Sequence, residues 1–238
     1  MARPLRIEYP NAVYHVFSRG NERKDIFRGE ADYELFLSIL IEACLTYDLI
    51  IHAYSLMPNH FHLLLETKDS NLSLAMKRIL GLYTVCFNRR HKRIGHLFQG
   101  RYKALLVDKD NYFHELSRYI HLNPVKAKLV KSPEDHPWSS MKHYLKDKAP
   151  GFLYRDFTLD SFKSKSDYRR FVMDGLKIKE DLLKKALGGL ILGSEEFLNK
   201  LKTKISLKKT SDYQGKQEFF RRPVDLVIKH LKDQDQSM

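Results

Sequence analysis

This 238-residue chain is predicted to adopt an α+β fold on three observations. Short runs rich in β-branched and aromatic residues recur along the first 110 residues. Between them lie longer runs whose apolar residues fall at helical spacing. Two of the strand-like runs are joined by nothing more than a short turn containing Pro58.

The elements follow in order. Ala12 to Arg19 reads as a strand, ended by Gly20-Asn21. Glu30 to Tyr47 is a helix, with Phe36, Ile39, Leu40, Ala43 and Cys44 as its apolar stripe. Leu49 to Leu56 and His60 to Glu66 are the two strands joined at Pro58. Leu72 to Asn88 is a second helix, carrying Ala75, Met76, Ile79, Leu80, Tyr83 and Phe87 on one face. Tyr102 to Asp108 is a fourth strand, and Asp110 to Leu122 a third helix with Asp110 as its N-cap. The order β-α-β-β-α-β-α is that of a ferredoxin-like arrangement, an antiparallel sheet with helices on one face. Trp138 to Leu145 adds a short helix, and Lys148 to Asp160, with Pro150-Gly151, reads as a boundary. Two regions result: residues 1–147, and a helical C-terminal extension over 160–238 with helices expected at Glu195 to Ile205 and Arg222 to Leu231.

Composition narrows the function classes. A net charge of +13 attracts polyanions, most often nucleic acid. From Asp160 onward 18 Lys and Arg face 12 Asp and Glu, so both regions share the excess. No apolar run approaches the ~20 residues of a membrane span, and the start of the chain lacks the apolar core of a signal peptide. Cys44 and Cys86 each sit in an apolar helical run, as expected of a reduced cytoplasmic protein with buried thiols.

Three segments carry candidate chemistry. In Met57-Pro58-Asn59-His60-Phe61-His62 a turn runs straight into a strand. Alternation puts His60 and His62 on one face, about 7 Å apart, where they can converge on one divalent ion. Spacing alone leaves open the commoner case of two strand-edge histidines that bind nothing. The run Arg89 to Lys103 holds six Lys and Arg, with Phe98 and Tyr102 interleaved as stacking surfaces for unpaired bases. A solvated helix end and loop is the alternative. In Arg118-Tyr119-Ile120-His121-Leu122-Asn123-Pro124, Tyr119 and Asn123 lie one helical turn apart, with Pro124 expected to draw Asn123 out of regular helix. A phenol near two histidines is a candidate nucleophile, although most tyrosines on half-apolar helices belong to the core.

Taken together in this order, several segments resemble the single-tyrosine HUH transposases, and within them the REP-associated tyrosine transposases. They are Tyr14-His15-Val16-Phe17-Ser18-Arg19-Gly20-Asn21, Met57 to Leu63, Gly95 to Lys103, Arg118 to Ala127, and Trp138-Ser139-Ser140. The likeness covers about residues 1–145. It implies a ferredoxin-like core, with His60 and His62 as metal ligands for Mg²⁺ or Mn²⁺ and Tyr119 as nucleophile. Related insertion-sequence enzymes carry a Gln as third ligand one turn after the tyrosine. Here that position is Asn123, one methylene shorter, which leaves direct ligation, ligation through water, and no ligation all open.

The implied reaction is nicking and joining of single-stranded DNA beside a hairpin, through a 5′-phosphotyrosine link and without ATP. Candidate DNA contacts are Arg19, Asn21, Arg89, Arg90, Arg93, Arg101 and Lys103. A nucleoid-associated cytoplasmic protein is the matching location. One nucleophilic tyrosine per chain means that two-ended reactions take two subunits, as in a homodimer, or two rounds. The rival readings are a non-catalytic DNA- or RNA-binding regulator and a hydrolytic metal phosphodiesterase in which water replaces Tyr119. Longer relatives continue into a helix-turn-helix-like domain, whose opening helix Arg221 to Leu231 resembles. Residues 160–238 are accordingly expected to be a loosely packed basic accessory region that adds electrostatic affinity and can be removed without loss of chemistry.

Overall fold

The computed structural model describes residues 7–207. Five strands form one sheet in the order β2-β3-β1-β4-β5. They are β1 (Ala12–Arg19), β2 (Leu49–Met57), β3 (His60–Thr67), β4 (Lys103–Val107) and β5 (Ile191–Leu192). The first four are antiparallel in the ferredoxin-like order, and β5 pairs parallel to β4. The sheet is therefore mixed, extended by a strand from the C-terminal region.

The helices lie on both faces, which corrects the expectation of one covered face. Helices α1 (Glu30–Tyr47) and α2 (Leu72–Arg90) cover one side. There Phe36, Leu40, Met76, Ile79 and Tyr83 bury themselves against Tyr14, Val16, Phe61, Leu63 and Leu65. The opposite parity of the same strands, Val13 and Leu64, packs with Phe113, Leu116 and Ile120 of α3 (Lys109–Lys126). Both strand faces are apolar at the sheet centre, so a second layer has something to bury. Helix α3 is capped at Asp108 rather than Asp110. It continues through Pro124 for a further half-turn, so Asn123 stays helical. Proline removes one N–H, but Ala127 N still donates to the Asn123 carbonyl and Leu129 N to the Pro124 carbonyl.

The edge strand β2 is covered by the chain after α3. Residues 138–140 run alongside it, with Leu56 N bonded to the Trp138 carbonyl and Ser140 N to the Tyr54 carbonyl. The short helix here is α4 (Met141–Leu145), and Trp138 lies outside it, stacked on Tyr33 at 4.6 Å. The boundary expected near Pro150-Gly151 is packed: Leu153 is buried beside Ile51. The Arg155 guanidinium holds the carbonyls of His143, Lys146 and Asp147.

Nor is the extension loose where the structure describes it. After the single turn α5 (Asp156–Leu159), helix α6 (Lys165–Asp174) sinks Tyr168 and Val172 fully into the main core. Gly175 lets the end of α6 close on α3, because a Cβ there would meet Arg118 Cδ at 2.6 Å and Leu122 Cδ1 at 2.7 Å. Strand β5 then joins the sheet, and α7 (Glu195–Leu207) contributes buried Leu198 and Leu201. The helix expected at Arg222 to Leu231 lies outside the described residues.

Candidate active site

The β2–β3 turn delivers the first candidate ligand. The Asn59 side-chain oxygen lies 2.6 Å from His60 Nδ1. An amide oxygen only accepts, so His60 carries its proton on Nδ1 and keeps a lone pair on Nε2. Strand pairing sets Arg19 opposite His60 and Phe17 opposite His62. His15, Phe17, Arg19, His60 and His62 therefore share the α3 side of the sheet. Gly20, next in the chain, turns so closely that a Cβ would collide with the Lys24 carbonyl.

Tyr119 meets this face from α3. Its ring stands edge-on to His62 at 5.8 Å and to His15 at 5.9 Å. His60 and His62 are edge to face at 5.2 Å. Phe17 stacks against both His15 (4.8 Å) and His62 (5.6 Å). His15 Nε2 lies 2.9 Å from His62 Nδ1.

The electrostatics favour neutral imidazoles. Burial, with the Arg19 guanidinium adding to it, pushes His60 down to about 4. Burial and the neighbouring His15 and His60 hold His62 well below the usual histidine range, and burial brings His15 to about 3. Burial also raises the Tyr119 phenol, with the Asp181 carboxylate adding to the rise. The Asn123 amide and the Arg19 charge act in the opposite direction. A raised phenol is a weak nucleophile until its negative charge is stabilised.

These residues fit a divalent cation by donor chemistry. Metal-ligating imidazoles must be neutral, and each of the two keeps one ring nitrogen unused by the bonds above. Among the described residues no group of three or more His, Cys, Asp or Glu is placed to hold a metal ion. The protein donors would be His60 and His62, which leaves the remaining positions to substrate oxygens and water. Asn123 turns its amide nitrogen to the Tyr119 carbonyl at 3.0 Å, so its side chain is tied to the helix that carries the nucleophile candidate.

The candidate DNA contacts divide. Arg19 is exposed beside His60, and Asn21 follows it, its backbone N–H bonded to the Leu97 carbonyl. Arg89, Arg101 and Lys103 are exposed, and Lys103 Nζ lies 5.9 Å from the centre of the Phe17 ring. Arg90 is committed elsewhere: it donates to buried Asp32 at 2.8 Å and to the Ala31 carbonyl. Arg93 bonds the His96 carbonyl and the Asn88 side chain, fastening its own loop. Phe98 and Tyr102 are buried in the core with α1 and α2, so they are not stacking surfaces. The backbone bridge between Gly20 and Phe98 turns that segment inward.

Sequence reasoning misses His15 and Phe17. Both lie at the parity of Arg19 on β1, but only the register with β3 brings them to His62. It also misses the wall behind Tyr119. A cleft of about 170 Å³ lies there between α3 and residues 175–185, lined by Tyr119, Arg118, Lys126, Glu180, Leu182 and Lys185.

Comparison with known proteins agrees with this arrangement. Residues 8–123 match the family described as transposase, IS200-like. Over these residues, a little under half of the chain, it is similar to the IS200-like transposases. This likeness points to a DNA-processing function. A solved structure of a REP-associated tyrosine transposase bound to a REP hairpin superposes with a TM-score of 0.52 at 17% identity. That match covers 65% of this chain and 98% of the other, and it confirms the fold. A crystal structure of a transposase candidate from Deinococcus radiodurans covers 50% of this chain and 95% of its own at 20% identity, with a TM-score of 0.36. No curated protein matches. Among the described residues no helix is long and apolar enough to cross a membrane.

Proposed function

We propose that this protein is a transposase that nicks and rejoins single-stranded DNA at hairpin-associated sites through Tyr119. The observation that carries the reading is the seating of the Tyr119 ring against His62, 5.8 Å away, on the sheet face that also bears His60. Tyr119 Oη attacks the phosphorus, the P–O3′ bond breaks, and a 5′-phosphotyrosine forms. The phenol proton passes to solvent, and the departing 3′-oxygen takes one up as a hydroxyl. Rejoining is the reverse, with a 3′-hydroxyl displacing the tyrosine, so the bond energy is kept and no nucleotide is hydrolysed.

His60 and His62 would hold Mg²⁺ or Mn²⁺, which would supply polarisation of a non-bridging phosphate oxygen. Arg19, with its charge beside His60 and Tyr119, holds the phosphate and offsets charge on the phenolate. Asn123 steadies the Tyr119 turn of α3. Exposed Arg89, Arg101 and Lys103 with Asn21 track the strand, and the half-buried Phe17 ring offers one stacking face. A REP-like hairpin is the partner supported by the bound hairpin of the structural neighbour. A monomer suffices for nicking, and joining two ends takes a homodimer or two rounds. The matching location is the nucleoid.

Incubation with a hairpin-bearing single strand and Mn²⁺, followed by denaturing electrophoresis, tests the reading. A covalent adduct that vanishes in Tyr119→Phe is expected. Tight binding with no adduct would favour the non-catalytic regulator, and cleavage with no adduct the water-using phosphodiesterase.

A further inference from the structure

The His15–His62 hydrogen bond joins two buried rings, and neither neighbour explains why the first is a histidine. His15 is fully buried on β1. Its Nδ1 has no hydrogen-bond partner among the described residues, so its one bond is the 2.9 Å contact from Nε2 to His62 Nδ1. Its packing neighbours are rings: Phe17 stacked at 4.8 Å and Tyr119 edge-on at 5.9 Å. A phenyl ring would satisfy those ring contacts and would remove the unpaired Nδ1 of His15, but it would leave His62 Nδ1 without its partner.

We propose that His15 is a positioning residue for His62: it accepts from His62 Nδ1–H and so frees the Nε2 lone pair of His62 for a divalent cation. This rests on the metal reading given above. A neutral imidazole has one N–H and one lone pair, so the shared contact has two forms. If His15 donates, the proton of His62 must sit on Nε2, and neither nitrogen of His62 can ligate. If His15 accepts, Nε2 is bare. Only the second form makes a ligand, and it sets the ring plane as well, since the two rings lie 5.1 Å apart and nearly parallel at 17°. His60 is held in the same manner, its Nδ1–H given to the Asn59 oxygen at 2.6 Å. Both candidate ligands thus have Nδ1 engaged by an acceptor and Nε2 left over, the pattern by which neighbours orient metal-bound histidines.

The test is Mn²⁺ titration of the full chain, followed by calorimetry, for wild type, His60→Ala, His15→Phe and His15→Gln. Gln places a side-chain oxygen near the position of Nε2 and restores an acceptor, whereas Phe keeps the ring and removes it. Wild type should bind and His60→Ala should not. His15→Phe should weaken binding about 10- to 100-fold, and His15→Gln should recover most of that loss. Near-UV circular dichroism of the metal-free variants checks that the fold is kept. Should His15→Phe fail to fold, ¹⁵N spectra of the wild-type imidazoles decide: a proton on His62 Nδ1 supports the proposal and one on Nε2 overturns it. Mn²⁺ affinity unchanged in His15→Phe, with His60→Ala inert, overturns this inference alone. A wild type that binds no Mn²⁺ overturns the metal reading and this inference with it.

Discussion

Tyr119 and His121 stand two residues apart on α3, and each belongs to a cluster of histidines and tyrosines, yet the two clusters are built in opposite ways. Two helical positions turn through about 200°, so the side chains leave opposite sides of the helix. On the His121 side every polar atom is engaged. His121 Nδ1 meets the Tyr168 hydroxyl and Nε2 the Ser140 hydroxyl, both at 2.7 Å. The Tyr168 hydroxyl also meets Ser117 at 2.6 Å, and Tyr144 donates to the His52 carbonyl at 2.6 Å. All of these side chains are fully buried. On the Tyr119 side, His60 and Tyr119 are only half-buried, and His60 and His62 each keep a ring nitrogen outside the bonds described. Saturated hydrogen bonding marks a structural network, and unspent capacity at a half-open surface marks a site for chemistry.

The most severe way to break this comparison is to remove one side of it. Cutting the chain at 160 deletes Tyr168, Val172, Ile191, Leu192, Leu198 and Leu201, all buried. At roughly 1.5–3 kcal/mol per side chain, the loss is on the order of 10 kcal/mol, the scale of a whole domain's stability. The shortened chain should lose its cooperative unfolding transition by circular dichroism. A folded, active truncation would instead restore the sequence-based expectation of a dispensable extension.

Next in size is the pair of tyrosine substitutions. Tyr119→Phe should lower adduct formation by roughly 10⁴-fold or more, as removal of a nucleophile does, with DNA affinity kept. Tyr168→Phe should leave adduct formation nearly intact and cost about 1–3 kcal/mol in urea unfolding, because His121 and Ser117 lose their shared partner. An adduct retained by Tyr119→Phe, or lost by a folded Tyr168→Phe, would reverse the assignment of the two clusters.

Acid should act on both clusters through the same physics. Burial brings His121 and His15 to about 3 from an ordinary 6.5. As pH falls below 6.5 the unfolded chain takes up protons that the folded state refuses, so stability declines until about pH 3. Each such histidine contributes about 1.4 kcal/mol per pH unit across that window. His121→Gln should flatten the slope by about that amount in urea titrations at pH 6.5, 5.5 and 4.5. An unchanged slope would mean that His121 is protonated in the fold.

Much of this was legible in the chain because it is local. The ranges of β1 and α1 and the shared face of His60 and His62 follow from periodicity within a few residues of each other. The seating of Tyr119 is not local: it depends on α3 crossing the second face of the sheet. His15 and Phe17 reach His62 only through a register between strands 47 residues apart. Phe98 and Tyr102 show the converse, since basic neighbours suggest exposure while their own side chains turn into the core. The packing of 160–207 was hidden for a similar reason: the partners of its apolar residues lie on α3, β4 and the core behind them.

The same criterion of spent and unspent capacity separates two adjacent arginines at the end of α2, where the expected effect is smallest. Arg90 donates to Asp32, a carboxylate only 1% exposed that also accepts from His91 and from the Arg28 N–H. Arg89 is exposed, and its guanidinium makes no ion pair among the described residues. Phosphates compete for a free guanidinium, whereas a guanidinium held by a buried carboxylate must first abandon it. Arg89→Ala should therefore weaken binding to a hairpin-bearing single strand and reduce the slope of log K against log salt by about 0.7, the share of one single-strand phosphate contact. Arg90→Ala should leave that slope unchanged and instead lower the unfolding free energy by about 1–3 kcal/mol, because Asp32 loses a charged donor. Fluorescence anisotropy across a salt series, with urea unfolding of the same proteins, reads both effects. A reduced salt slope in Arg90→Ala would show that Asp32 releases its arginine to DNA, and the division between the two residues would fail.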